Sequence, residues 1–199
     1  MIKLFTHTDL DGIGCAILAQ LVFGKENINI SYCGYDSIDN KVKEFISKDE
    51  FEKCFITDIS ISDELAKEID ERFDNIYLLD HHPTAIDLNK YEWCNVKIEE
   101  NGIKTCGTEL FYNYLVDNDI LYPSILSLDA IININKFVDT VRDYDTWRWE
   151  SLGDEGIISK KLNDLFKIYG KEEFIEWAIK KITHSSYSSY FLLDDEETI

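Results

Sequence analysis

Three short apolar runs in the first half of the chain each stop on an acidic residue or a histidine. Ile2–Thr6 gives way to His7-Thr8-Asp9-Leu10-Asp11-Gly12, Cys54–Thr57 stops at Asp58, and Ile76–Leu79 stops at Asp80-His81-His82. A fourth segment, Ile28–Cys33, also reads as a strand. Between them lie stretches that suit helices: Ile13–Phe23, a short amphipathic segment marked by Val42, Phe45 and Ile46, and a face of Leu65, Ala66, Ile69 and Phe73 that Ser60 or Ser62 can cap. Strands alternating with helices predict an α/β fold, a doubly wound and mostly parallel sheet flanked by helices. In such sheets, ligand sites form at the carboxyl ends of the strands. Three polar clusters remote in sequence are therefore expected to meet on one rim.

The second half reads as mostly helical. Trp93–Ile98 and Ile103–Thr105 flank Glu99-Glu100-Asn101-Gly102, a hairpin signal. A helix is expected from Thr108 to Val116, and another from Pro123, which suits a first turn, to about Val141. Further helical stretches run near Ile157–Tyr169 and Glu172–Ile182, parted by Gly170. The expected organisation is a catalytic unit over 1–150, a small helical C-terminal extension over 151–184 packed on the same domain, and a flexible acidic tail over 185–199.

Charge narrows the partners. The formal net charge is −19, so most of the surface repels a polyanion, and long duplex nucleic acid is excluded as a partner. A small phosphorylated substrate is not excluded, because bound cations invert the local sign. No run of 18 apolar residues is present, which gives no membrane partner. The N-terminal Met1-Ile2-Lys3-Leu4-Phe5 lacks the apolar stretch of a signal peptide. Cys15, Cys33, Cys54, Cys94 and Cys106 form no CxxC pair. Their odd count and wide spacing suggest buried reduced thiols and a cytoplasmic location.

The chemistry lies in the strand-end clusters. Read as an extended loop, alternation puts His7, Asp9 and Asp11 on one side. One imidazole and two carboxylates suit Mn²⁺, with Mg²⁺ or Co²⁺ as substitutes. Two such ions characterise two-metal hydrolysis and need a bridging carboxylate, for which Asp58 is well placed. An Asp-x-Asp-Gly alone is usually a turn or helix cap, and a lone histidine is usually structural. Here three of the four histidines fall in two strand-end clusters, where burying charge without a partner is costly.

His-x-Asp-x-Asp-Gly, then a strand-end Asp, then Leu-Asp-His-His resembles the DHH phosphoesterase superfamily, over about residues 1–150. The resemblance implies a hydrolase, a metal-binding phosphoesterase of the oligoribonuclease-like branch. It implies that His7, Asp9 and Asp58 hold one Mn²⁺ and that Asp11, Asp58, His81 and a fourth-motif Asp hold the other. Asp80 would orient an imidazole, and His82 would act at the substrate phosphate. Arg142-Asp143-Tyr144-Asp145-Thr146-Trp147 resembles the fourth motif, with Asp145 favoured as ligand and Asp143 as its rival. Arg142 is a candidate phosphate contact and Trp147 a candidate base stacker, against a salt-bridged Arg and a core Trp. Cys106-Gly107-Thr108 resembles a segment whose backbone amides meet phosphate, so Gly107 and Thr108 are candidate substrate contacts; Thr108 as a plain helix cap is the rival account. The first motif departs from the His-x-x-x-Asp-x-Asp spacing of many relatives. No Gly-Gly-Gly-His-type run, the mark of the family's second (DHHA1) domain, is recognisable.

The expected activity is nuclease-like hydrolysis of phosphodiester bonds in short oligonucleotides or cyclic dinucleotides. Two rivals stand beside it: phosphomonoester or pyrophosphate hydrolysis, and metal-dependent nucleotide binding without turnover. The expected partner is a short oligonucleotide or nucleotide, with a homodimer as the assembly open to the chain.

Overall fold

The computed structural model describes residues 1–48, 50–125 and 127–185. Five strands form one parallel sheet: β1 (Ile2–Thr6), β2 (Ile28–Tyr32), β3 (Lys53–Thr57), β4 (Ile76–Asp80) and β5 (Cys94–Val96), in the order β2-β1-β3-β4-β5. The chain winds outward from β1 to β2, then crosses back to place β3 on the other side of β1. The strand order therefore reverses at β1 and β3, and a crevice opens at their carboxyl ends.

Both faces of the sheet are buried, so neighbouring strand residues enter different cores. Leu4, Phe55 and Leu79 pack with α1 (Leu10–Phe23), α4 (Gly107–Asp117) and α6 (Leu128–Asp145). Phe5, Cys54, Ile56 and Leu78 pack with α2 (Ile38–Ile46) and α3 (Asp63–Asp70). This is the period-two pattern of a strand covered on both sides. Ser62, not Ser60, caps α3, its hydroxyl accepting from Leu65 N at 3.4 Å.

The C-terminal helices α7 (Asp154–Tyr169) and α8 (Lys171–His184) join the first core through Leu162, Leu165, Phe174, Ile175, Ala178 and Ile182. Full burial of Phe174 and of Ile182 contributes on the order of 2–3 kcal/mol each. No helix among the described residues is long and apolar enough to cross a membrane. All five cysteines are buried and free.

Several expected elements differ in detail. The helix expected from Pro123 to Val141 is split: Pro123 lies in the short α5 (Leu121–Ser124), and the long helix starts at Leu128 with Ser127 as its cap. Ser127 takes that role because its hydroxyl satisfies the Ala130 amide. The strand expected over Trp93–Ile98 contracts to β5 on the main sheet, and the Asn101-Gly102 turn joins only the small antiparallel pair β6 (Glu99–Glu100) and β7 (Ile103–Lys104). The tail expected to be flexible lies, beyond Ser185, outside the described residues.

Candidate metal centre

The register of β1, β3 and β4 brings the three clusters level. Thr6 pairs with Thr57 and Thr57 with Leu79, so His7, Asp58 and Asp80 leave the sheet side by side. Thr57 Oγ1 donates to Thr6 Oγ1 at 3.0 Å, and Thr6 Oγ1 donates to Gly12 O at 3.0 Å. These buried hydroxyls tie the first turn of α1 to the end of β1.

His7–Gly12 is not an extended loop. Asp9 Oδ1 accepts from Gly12 N at 3.1 Å and caps α1, so Asp11 already sits in the first helical turn. A carboxylate cap starts the helix earlier than the apolar run at Ile13 suggests. The two aspartates consequently diverge. Asp9 Oδ2 lies 2.8 Å from His7 Nδ1. Asp11 turns inward, 3.5 Å from His81 Nε2.

Asp58 stands between them. It is 1% exposed, with Oδ1 at 3.2 Å from His81 Nε2 and Oδ2 at 4.0 Å from His7 Nδ1. Its backbone is left-handed, φ 56°, a conformation that a non-glycine residue rarely adopts and that clusters at functional sites. Gly107 makes room for it: a Cβ there would lie 2.5 Å from Asp58 Cβ.

The end of α6 supplies the fourth group. Asp145 Oδ2 lies 3.7 Å from His81 Nε2. Asp143 is two residues earlier on a continuous helix, roughly 200° away around the axis. It faces Arg148, with Nη1 at 2.9 Å from its Oδ1. Donor atoms of His7, Asp9 and Asp58 lie within 4.8 Å of one another, as do those of Asp11, His81 and Asp145.

Asp80, expected to orient an imidazole, is hydrogen-bonded to that of His82. Asp80 Oδ1 accepts from His82 Nδ1 at 2.8 Å and from His81 N at 2.8 Å, while Ser60 donates to its other oxygen. His82 Nε2 meets the Tyr35 hydroxyl at 3.1 Å. Tyr35 also packs on His7, ring centroids 5.3 Å apart. Tyr35 and Ser60 are not among the site residues expected from sequence. Both follow the carboxyl ends of strands, and that position was the available signal.

Three expected substrate contacts are occupied otherwise. Gly107 N and Thr108 N donate to the two oxygens of Asp11, at 2.6 and 2.7 Å, so these amides serve the carboxylate and not an open phosphate site. Thr108 is not the cap of α4 either; Cys106 Sγ accepts from Glu109 N, and Thr108 Oγ1 donates to Asp11 O. Arg142 is enclosed by acids, Nη1 at 2.8 Å from Glu109 and Nη2 at 2.8 Å from Asp139, which is the salt-bridged alternative. Trp147 is not a core residue: it is 68% exposed, at φ 62°.

Burial and charge set the protonation of these groups. Burial, then Asp11 and Asp9, push the Asp58 carboxyl well above its ordinary range. Burial and the same two neighbours push Asp145 up to about 8. Asp9 goes the other way: burial would raise it, but His7 outweighs that and brings it down to about 2. Asp58 Oδ2 is buried with no hydrogen-bond partner. Crowded carboxylates, two imidazoles and an unsatisfied buried oxygen are a donor set that fits a hard or borderline divalent cation.

Comparison with known proteins places the chain in a family. Residues 1–132 match the DHH family, N-terminal domain, and the chain belongs to that family. It is 34% identical over 207 residues to oligoribonuclease NrnB of Bacillus subtilis (strain 168), which covers 100% of this chain and 49% of that protein. The chain thus spans about half the length of the curated relative it matches. Its fold matches the crystal structure of an uncharacterized protein from Helicobacter pylori G27, with a TM-score of 0.72 at 18% identity, over 99% of this chain and 59% of that one.

Proposed function

We propose that this chain is a cytoplasmic two-metal phosphoesterase that hydrolyses phosphodiester bonds of short oligonucleotides or cyclic dinucleotides. His7, Asp9 and Asp58 would hold one divalent ion, and Asp11, Asp58, His81 and Asp145 the other, with Mn²⁺ the favoured metal. The catalytic unit is read as residues 1–150, with 151–184 packed on it. The observation that carries the reading is the buried Asp58, one oxygen toward His81 and the other, unpartnered, toward His7. The likeness to an oligoribonuclease supports the substrate class, and buried free thiols support a reducing compartment.

When bound, a pair of divalent ions supplies an activated water and positive charge for the phosphoryl oxygens. The chain's own groups do the rest. Asp80 fixes the His82 ring by accepting from Nδ1, which holds the imidazole pKa up and keeps a proton available at Nε2. From there His82 hydrogen-bonds a phosphoryl oxygen once Tyr35 yields its place. Gly107 N and Thr108 N hold Asp11 in position, and Thr108 Oγ1 fastens α4 to α1. Arg142, held by Glu109 and Asp139, adds no free cation at the rim. That weighs against a pyrophosphate substrate, whose four charges need several.

The test is hydrolysis of the dinucleotide pApA with Mn²⁺, with mononucleotide release followed by chromatography. Release that stops on metal removal is expected. Tight nucleotide binding without release would replace this reading with a binding module, and phosphate release from monoesters alone would replace the substrate class.

A further inference from the structure

Lys3 is 4% exposed, and it is the one basic residue among the buried polar groups described. Its Nζ donates to Ser31 Oγ at 2.6 Å and to Asn29 Oδ1. It lies over the Phe5 ring at 4.7 Å and the Phe45 ring at 5.6 Å. All four partners are neutral. Among the described residues, no carboxylate oxygen lies within 4.0 Å of it. An ammonium buried on neutral dipoles alone is costly, and burial accordingly lowers the Lys3 pKa. An ammonium has three N–H donors, and two are taken by Asn29 and Ser31.

Lys3 borders a cavity of about 470 Å³ that is also lined by Lys41, Lys48, Asn29, Ser31 and Phe45. That volume falls within the range of small-molecule sites. Among the described residues, its acidic lining residues are Glu44 and Glu50. Glu44 lies 3.9 Å from Lys48, and Lys41 Nζ donates to Tyr32 O at 2.7 Å. Among the described residues, three lysines face two glutamates here, on a chain of net charge −19. Lys3 precedes His7 by four residues, roughly 13 Å along the strand. The cavity shares no lining residue with the metal centre.

We propose that this cavity binds a phosphate monoester with an apolar body, at a site separate from the metal centre. Lys3, Ser31 and Asn29 meet the phosphate oxygens, Lys41 and Lys48 neutralise the remaining charge, and Phe45 contacts the apolar body. A phosphate offers counter-charge to an ammonium whose partners among the described residues are all neutral, in the charge-assisted geometry that makes such bonds strong.

The experiment is an amide-resolved NMR titration of the isotope-labelled chain in EDTA, first with inorganic phosphate and then with adenosine 5′-monophosphate. Saturable shifts at the amides of Lys3, Asn29, Ser31 and Phe45 are expected, with the monoester binding more tightly than phosphate. Lys3→Met should weaken binding by about tenfold or more, the usual cost of losing a hydrogen bond to a charged group. Should Lys3→Met lose its dispersed spectrum, the double variant Lys41→Gln, Lys48→Gln carries the test, because both lysines are exposed and their loss leaves the core intact. The proposal is overturned by no saturable shift with either probe. It is equally overturned by shifts confined to His7, Asp58 and His81, or by binding that the folded variants leave unchanged.

Discussion

The Tyr35 hydroxyl sits 3.1 Å from His82 Nε2, and so occupies the one ring nitrogen of His82 that Asp80 does not hold. Tyr35 is 61% exposed, on the connection between β2 and α2, so little packing fixes it there. A phosphoryl oxygen approaching His82 must replace this hydroxyl. Tyr35→Phe removes the competitor and keeps the ring on His7. Under the proposed activity, KM for pApA should fall by about two- to tenfold, the worth of one hydrogen bond, with kcat little changed. A higher KM in steady-state kinetics would instead make the hydroxyl a substrate contact.

Asp143 and Asp145 separate cleanly by substitution. Asp145→Asn should weaken Mn²⁺ binding by at least about tenfold, because it removes a charged donor from the group with Asp11 and His81. Asp143→Asn removes the charge that faces Arg148 instead, and is expected to leave metal affinity unchanged while lowering stability slightly. Calorimetric Mn²⁺ titration of the two variants decides it, and equal losses would refute the assignment.

The metal-free chain should lose stability as pH rises. Asp145 is raised to about 8 and Asp58 well above its ordinary value, whereas an unfolded aspartate titrates near ~4. Between those values the folded state binds more protons than the unfolded one, so unfolding free energy falls with increasing pH. Asp9, lowered to about 2, acts in the opposite sense but only below that window. Melting in EDTA should therefore give a higher Tm near pH ~5 than near pH ~8. Added Mn²⁺ should stabilise most at the higher pH, since the ligands must be deprotonated. Asp145→Asn should flatten the metal-free dependence, which distinguishes it from general repulsion in a chain of net charge −19.

Three strands and the rim are legible in the sequence, because β1, β3 and β4 are mostly apolar runs each followed or ended by a residue that is costly to bury. The site's internal wiring is less so. Whether Asp9 and Asp11 face the same way depends on where α1 starts, and that depends on a cap that alternation does not reveal. The fate of the Gly107 and Thr108 amides depends on Asp11, 96 positions away from Gly107. Arg142 pairs with Glu109 across two helices, a contact that no local spacing signals. Tyr35 and Lys3 carry no motif; their roles come from the sheet register and from burial.

Gly107 is the position where a single methyl group should test the centre's packing. A Cβ there would lie 2.5 Å from Asp58 Cβ and 2.8 Å from Asp58 Cα. The obstructing atoms include backbone, held by the hydrogen bond from Asp58 N to Leu79 O, so they cannot swing aside as a flexible side chain would. Gly107→Ala must move either Asp58 or the start of α4, and moving α4 breaks the amide contacts to Asp11. Overpacking of this kind costs about 1–3 kcal/mol. For a domain of this size that lowers Tm by several degrees, at about 2–4 °C per kcal/mol. Mn²⁺ affinity should fall together with Tm, because Asp58 and Asp11 both shift. Gly102→Ala is the control: its Cβ would meet nothing within 4 Å. Its positive φ of 78° makes it destabilising through backbone strain alone, with metal affinity unchanged. A Gly107→Ala protein that keeps its full Mn²⁺ affinity would refute the tight coupling between α4 and the metal centre.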